Sequence, residues 1–150
     1  MTGDSFLQQD LRVLTPEAFE FVLANELKRA LRSQNFVTLV LIEPRSSGDV
    51  TIGDITRVVS PEVRETDLLS ATGEGRLSMV LLDADLHNSE RVITRVLSRL
   101  EHYQFTAPID IEVGAACCPT DGADIETLTR VAARAAAARR DARGNASHAQ

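Results

Sequence analysis

The chain has 150 residues, a formal net charge of −6 at neutral pH and an apolar content of 43%. That length supports one hydrophobic core and is short for two, and the composition is that of a globular domain. The acidic balance excludes non-specific nucleic-acid binding over the whole surface but permits a local basic site for an anionic ligand.

Tryptophan is absent and aromatic residues make up 4%, so the core must rest on Leu, Val, Ile and Ala. No apolar run is long enough to span a bilayer and no signal-peptide pattern opens the chain. The expected setting is therefore cytoplasmic, with no membrane and no nucleic-acid partner. Cys117 and Cys118 are neighbours. In a strand they point to opposite faces, which argues against a structural disulfide and for two reduced thiols in or beside the core.

Residues 1–13 carry few helix or strand signals and read as a lead-in. Thr15-Pro16 then starts a helix, with a capping hydroxyl and proline at the first helical position. Phe19, Val22, Leu23, Leu27, Ala30 and Leu31 form its apolar stripe, which predicts a helix to about Gln34. Phe36 to Ile42 is a buried strand by composition, ended by Glu43-Pro44. Arg45 to Gly53 reads as a loop. Asp54 is placed to cap a short helix with Ile55, Val58 and Val59 inward, and Pro61 limits its length.

Two apolar runs follow, Asp67 to Thr72 and Leu77 to Leu82, separated by Gly73-Glu74-Gly75-Arg76. They predict a β-hairpin whose glycines supply the positive φ of a tight reversal. After a polar turn, Asp85 or Asn88 caps a helix with Val92, Ile93, Val96, Leu97 and Leu100 buried. Arg91, Arg95 and Arg99 recur every four residues and share the opposite face, which on its own reads as a solvated face. Ile109 to Cys117 is a strand and Pro119 to Asp124 a turn. Asp124 then caps an alanine-rich last helix containing Leu128 and Val131. Arg134, Arg139, Arg140 and Arg143 suit its C-terminal half, and a tail is expected from Gly144.

From Phe36 onward the order is βαββαβ. That is an α+β, ferredoxin-like core with helices on one face of an antiparallel sheet, plus an added N-terminal helix. One domain is expected over residues 14–145, with 1–13 and 146–150 as flexible ends. No Ser–His–acid or Cys–His constellation stands out; His87, His102 and His148 fall in turns or the tail. Asp83, Asp85 and Asp121 read as turn and cap residues.

The hairpin and the segment before it resemble the GGDEF family of diguanylate cyclases. Laid without gaps, the family signature falls on Gly73, Glu74, Gly75, Arg76 and Leu77, where the first glycine matches and an arginine replaces the key acid. The family's inhibitory-site motif, Arg-x-x-Asp, falls on Arg64 and Asp67, and a gapless count places the arginine of its secondary site at Arg95. The opening Leu14-Thr15-Pro16 segment, Glu112-Val113-Gly114, and the partial string Arg130-Val131-Ala132, Ala136 and Ala138-Arg139 also resemble family segments. Its tyrosine is missing from that string and arginine replaces its phosphate-contacting lysine. In active cyclases the first core strand finishes at a magnesium-binding aspartate; here the candidates are Glu43 and Leu41. The asparagine and aspartate that read guanine have no counterparts.

The resemblance implies a nucleotide cyclase-like fold and a degenerate member without catalytic residues, metal or cofactor. It implies a cyclic di-GMP receptor built on Arg64, Asp67 and Arg95, with room for a homodimer. The alternative is a protein-interaction or dimerisation module in bacterial signalling that binds no nucleotide. The receptor reading expects the Arg64 and Asp67 side chains to lie accessible and side by side. Their bland reading is a local ion pair at a strand start.

Overall fold

Strand β2 (Val37–Pro44) is buried at six successive positions, odd and even alike. A strand apolar on both sides needs a helical layer on each. The rest of the chain supplies both. The computed structural model describes residues 13–44, 52–72, 75–103 and 110–148. The ends expected over 1–12 and 149–150, the loop over 45–51, the hairpin residues Gly73 and Glu74, and the expected strand start at Ile109 lie outside the described residues.

In chain order the other elements are β1 (Val13–Leu14), α1 (Pro16–Ser33), α2 (Ile52–Val59) and a 3₁₀ turn (Ser60–Glu62). Then come β3 (Leu68–Thr72), β4 (Arg76–Leu82), α3 (Leu86–His102), β5 (Ile111–Cys118) and α4 (Ile125–His148). The five strands lie in the order β1-β3-β4-β2-β5. The β3–β4 hairpin and the flanks of β2 are antiparallel, whereas β1 runs parallel to β3.

On one face Val40, Ile42, Leu77, Met79 and Leu81 pack under Ile55 and Val59 of α2 and Ile93, Val96 and Leu100 of α3. On the other, Leu39, Leu41, Val80 and Cys118 meet Phe19, Leu23 and Leu27 of α1 and Leu128 and Ala132 of α4. The helices therefore cover both faces of the sheet, not one as the pattern suggested. The α+β class holds. The added N-terminal helix shares its face with α4.

Local chemistry explains the boundaries. Thr15 caps α1, its hydroxyl accepting from Ala18 N at 3.2 Å. Leu31, expected in the buried stripe, is 49% exposed. Steps of four overshoot a helical turn by about 40°, so the inward position after Leu27 passes to Ala30. Asp54 does not cap α2; it lies in the first turn and pairs with Arg57 at 2.5 Å. Asp85 caps α3, accepting from Asn88 N at 2.9 Å. Asp124 caps α4, accepting from Thr127 N at 2.8 Å and Thr127 Oγ1 at 3.0 Å. The Thr127 backbone N–H holds the Asp124 carboxyl below its ordinary value. Helix α4 runs through Gly144, where a tail was expected, to His148. Both cysteines are buried and free, and desolvation pushes both thiols up.

Gly114 sits where α4 presses on β5. A Cβ there would overlap the backbone carbonyl oxygen of Ala132 and the backbone nitrogen of Ala136. Relief would require shifting a helix against a strand, not rotating a side chain. Gly114→Ala is expected to lower unfolding stability by about 2–3 kcal/mol or more, read from the midpoint of urea denaturation.

Candidate functional site

The antiparallel register of β2 and β4 pairs Ile42 with Leu77, so the next step brings Glu43 beside Arg76. Arg76 Nε donates to Glu43 Oε2 at 2.8 Å. The two side chains are 22% and 33% exposed, so the pair is partly shielded. On its other side Glu43 faces Glu112 of β5, which is buried. Leu41, the other residue that could stand for the family's metal-binding aspartate, is buried among apolar side chains of the α1–α4 face.

A divalent ion needs several oxygen ligands, commonly two carboxylates plus phosphate. Of the two candidate positions, one carboxylate is engaged by a guanidinium and the other is a leucine, while Glu112 beside Glu43 is buried. A fixed cation at that distance repels a metal ion. These residues do not fit a magnesium site. Among the described residues no group of three or more His, Cys, Asp or Glu side chains could hold a metal. A cleft of about 160 Å³ beside the pair, between the first turns of α1 and α4, is lined by Pro16, Phe19, Leu41, Arg76, Ser78 and Ile125. Arg139, at the position of the family's phosphate-contacting lysine, reaches Glu90 of α3 at 3.2 Å.

Within the signature stretch, Gly75 takes a φ of 75°, with open space around a built Cβ. Backbone conformation, not crowding, thus favours glycine there. Thr72 pairs with Arg76, so the loop has three residues and ends in a left-handed one. Leu77 is fully buried.

At the other end of the hairpin, Arg64 and Asp67 form a clasp. Asp67 N donates to Arg64 O at 3.0 Å, closing a turn. Asp67 Oδ2 accepts from Arg64 N at 3.1 Å and from Arg64 Nε at 3.5 Å. Asp67 Oδ1 accepts from Leu82 N at 3.1 Å and from Arg64 Nη2 at 3.3 Å. Arg64 Nη2 also donates to the Leu82 carbonyl oxygen. Because β3 begins at Leu68, Leu82 N–H lies beyond the β3–β4 ladder, and the carboxylate takes the place of a strand partner.

The Asp67 side chain is 3% exposed while that of Arg64 is 60% exposed. The expectation that both groups lie open together is not met. Asp67 faces inward because its oxygens satisfy backbone donors, and it holds Arg64 at the surface.

The sequence brings Arg95 to the same neighbourhood through a residue that pattern reading passes over. Glu62, at the end of the 3₁₀ turn, accepts from Arg95 Nε at 3.0 Å and from Arg99 Nε at 2.8 Å. Its backbone oxygen accepts from Arg95 Nη2 at 2.7 Å. The Glu62 carboxylate is 9% exposed under these two guanidiniums. No local motif flags it, since its partners lie 33 and 37 residues away. Arg95 thus bonds to the Glu62 end of the turn and Arg64 follows that end in the chain, each with a largely exposed side chain.

The sequence matches no family model and no curated protein. Solved structures do match. The active GGEEF domain of a diguanylate cyclase from Vibrio cholerae is similar with a TM-score of 0.75 at 13% identity, over 87% of this chain and 93% of that one. The GGDEF domain of DgcB from Caulobacter crescentus, in complex with c-di-GMP, gives 0.73 at 12%, over 87% and 88%. The diguanylate cyclase SiaD from Pseudomonas aeruginosa, in complex with its activator SiaC, gives 0.75 at 17%, over 93% of this chain and 62% of that one. The fold of this chain is that of the GGDEF domain of diguanylate cyclases.

Removing a buried carboxylate that serves two backbone donors leaves those donors without an acceptor. Asp67→Ala is expected to cost about 2–4 kcal/mol of stability. Arg64→Ala, which trims a mostly exposed side chain, is expected to cost about 1 kcal/mol or less. Urea unfolding of the two variants under one buffer measures the difference.

Proposed function

We propose that this chain is a catalytically silent, degenerate GGDEF domain that serves as a receptor for cyclic di-GMP. Silence rests on the Arg76–Glu43 ion pair, which puts a cation where the cyclase signature carries its key acid. Receptor function rests on Arg64, just past the Ser60–Glu62 turn, and Arg95, bonded to Glu62 at its end, with side chains 60% and 53% exposed. A guanidinium gives paired hydrogen bonds to a phosphate or to the Hoogsteen edge of guanine, and cyclic di-GMP offers two of each. Asp67 and Glu62 act as positioning residues, each holding its arginine from beneath. The buried Asp67 carboxylate would meet ligand only after Arg64 turns away from it. Two chains sharing one stacked ligand pair would be drawn into a homodimer by mass action.

The second reading is an interaction module that docks a protein and binds no nucleotide. Engagement of Arg64, Arg95 and Arg99 by protein carboxylates favours it, and SiaD, a cyclase that contains this fold, is found in complex with a protein activator.

Calorimetry with cyclic di-GMP separates the two. The receptor reading expects saturable heat that Arg64→Ala abolishes and Arg95→Ala weakens by about tenfold or more, the value of one charge-assisted hydrogen bond. No heat at millimolar ligand leaves the interaction module.

A further inference from the structure

One helical turn beyond Arg95, the end of α3 and the 3₁₀ turn enclose a second concavity. Arg57 of α2, Pro61 and Glu62 of the turn, and Arg99, His102 and Tyr103 line a cleft of about 310 Å³. That volume falls at the small end of ligand pockets, about 300–1,000 Å³, and suits one compact molecule better than a peptide. Val58 adds an apolar wall.

The charge of the lining is arranged by depth. The Glu62 side chain is 9% exposed, whereas those of Arg99 and Arg57 are 66% and 72% exposed. Arg99 meets Glu62 through Nε and Arg57 meets Asp54 through Nη2. A guanidinium carries five N–H donors, so each retains capacity for an anionic oxygen while its carboxylate fixes its position. Glu62 is shared between Arg95 and Arg99, which leaves the solvent side of the cleft cationic. His102 Nδ1 lies 2.8 Å from the Ser98 carbonyl oxygen, so that nitrogen carries the proton and Nε2 remains for a ligand. Tyr103 is 51% exposed and lines the cleft. Aromatic faces stack on planar bases, and an adjacent proline makes an apolar wall.

We propose that this cleft binds a purine nucleoside monophosphate, with the phosphate between Arg57 and Arg99 and the base against Tyr103. The site uses neither Arg64 nor Asp67 and does not depend on cyclic di-GMP binding.

Tyr103 is the sole tyrosine of the sequence. Uniform labelling with 3-fluorotyrosine therefore gives a single ¹⁹F resonance at the cleft. Titration of the full chain with GMP is expected to move that resonance saturably. Guanosine alone and inorganic phosphate alone should each bind about tenfold or more weakly than GMP, because each keeps only one of the two contacts. Arg99→Ala and Arg57→Ala should each weaken GMP by a similar factor, with thermal melts verifying that both variants fold. Arg64→Ala should leave the titration unchanged. In unlabelled protein, Tyr103→Leu, a surface change that does not threaten folding, should weaken GMP by calorimetry.

No saturable movement with millimolar GMP overturns the proposal. So does inorganic phosphate binding as tightly as GMP, which would mark an anion site without base recognition. Loss of the response in Arg64→Ala with retention in Arg99→Ala would place the ligand at the clasp and overturn it as well. Because Arg64 and Arg99 are altered separately, failure here is distinguishable from failure of the cyclic di-GMP reading.

Discussion

The register between β2 and β4 is the constraint on which the molecule depends. Both strands bury side chains on both faces, with Leu39 and Leu41 on one side and Val40 and Ile42 on the other. A slip of one residue would exchange the two faces of a strand. Here it would also part Arg76 from Glu43 and set that arginine against an apolar neighbour. The packing that builds the core thus also fixes the ion pair at the mouth of the α1–α4 cleft. Within a fold shared with diguanylate cyclases, that pair is what the proposal of a silent cleft rests on.

A second theme is the use of carboxylates as anchors for arginines. Asp67 and Glu62 are nearly covered, and they fix arginines whose side chains remain 53% to 66% exposed. Fixing a long side chain in advance lowers the ordering cost of a later contact with an anion. It also explains how a chain with a formal charge of −6 can offer a cationic face: the local acids lie beneath and the bases outside. The arrangement suits the phosphate ligand proposed for it, or an acidic partner.

Much of the fold was legible in the sequence because it rests on local signals. Thr15, Asp85 and Asp124 cap the helices that their positions announced, and the hairpin falls within a residue of its two apolar runs. The layering was not legible. A strand buried on both faces and an alanine-rich helix do not say which face a helix takes, so α1 and α4 were not placed on the second face. The pairing of Arg64 with Asp67 was legible and its orientation was not. The Arg64-x-x-Asp67 spacing was visible, but which partner turns inward depends on where β3 begins and on the Leu82 N–H left beyond its ladder. Glu62 carried no local signal because its bonds to Arg95 and Arg99 span two elements.

The central claim is that Arg76 and Glu43 neutralise the place where a cyclase would hold its metal. A titration of the ¹⁵N-labelled chain with Mn²⁺, followed by paramagnetic line broadening, tests it most directly. An ion-paired Glu43 predicts no selective, saturable broadening at Leu41 to Glu43 or Arg76 to Ser78. Selective broadening of those amides at low Mn²⁺, displaced by Mg²⁺, would mean that the pair yields to a metal and that the cleft is still a cyclase site.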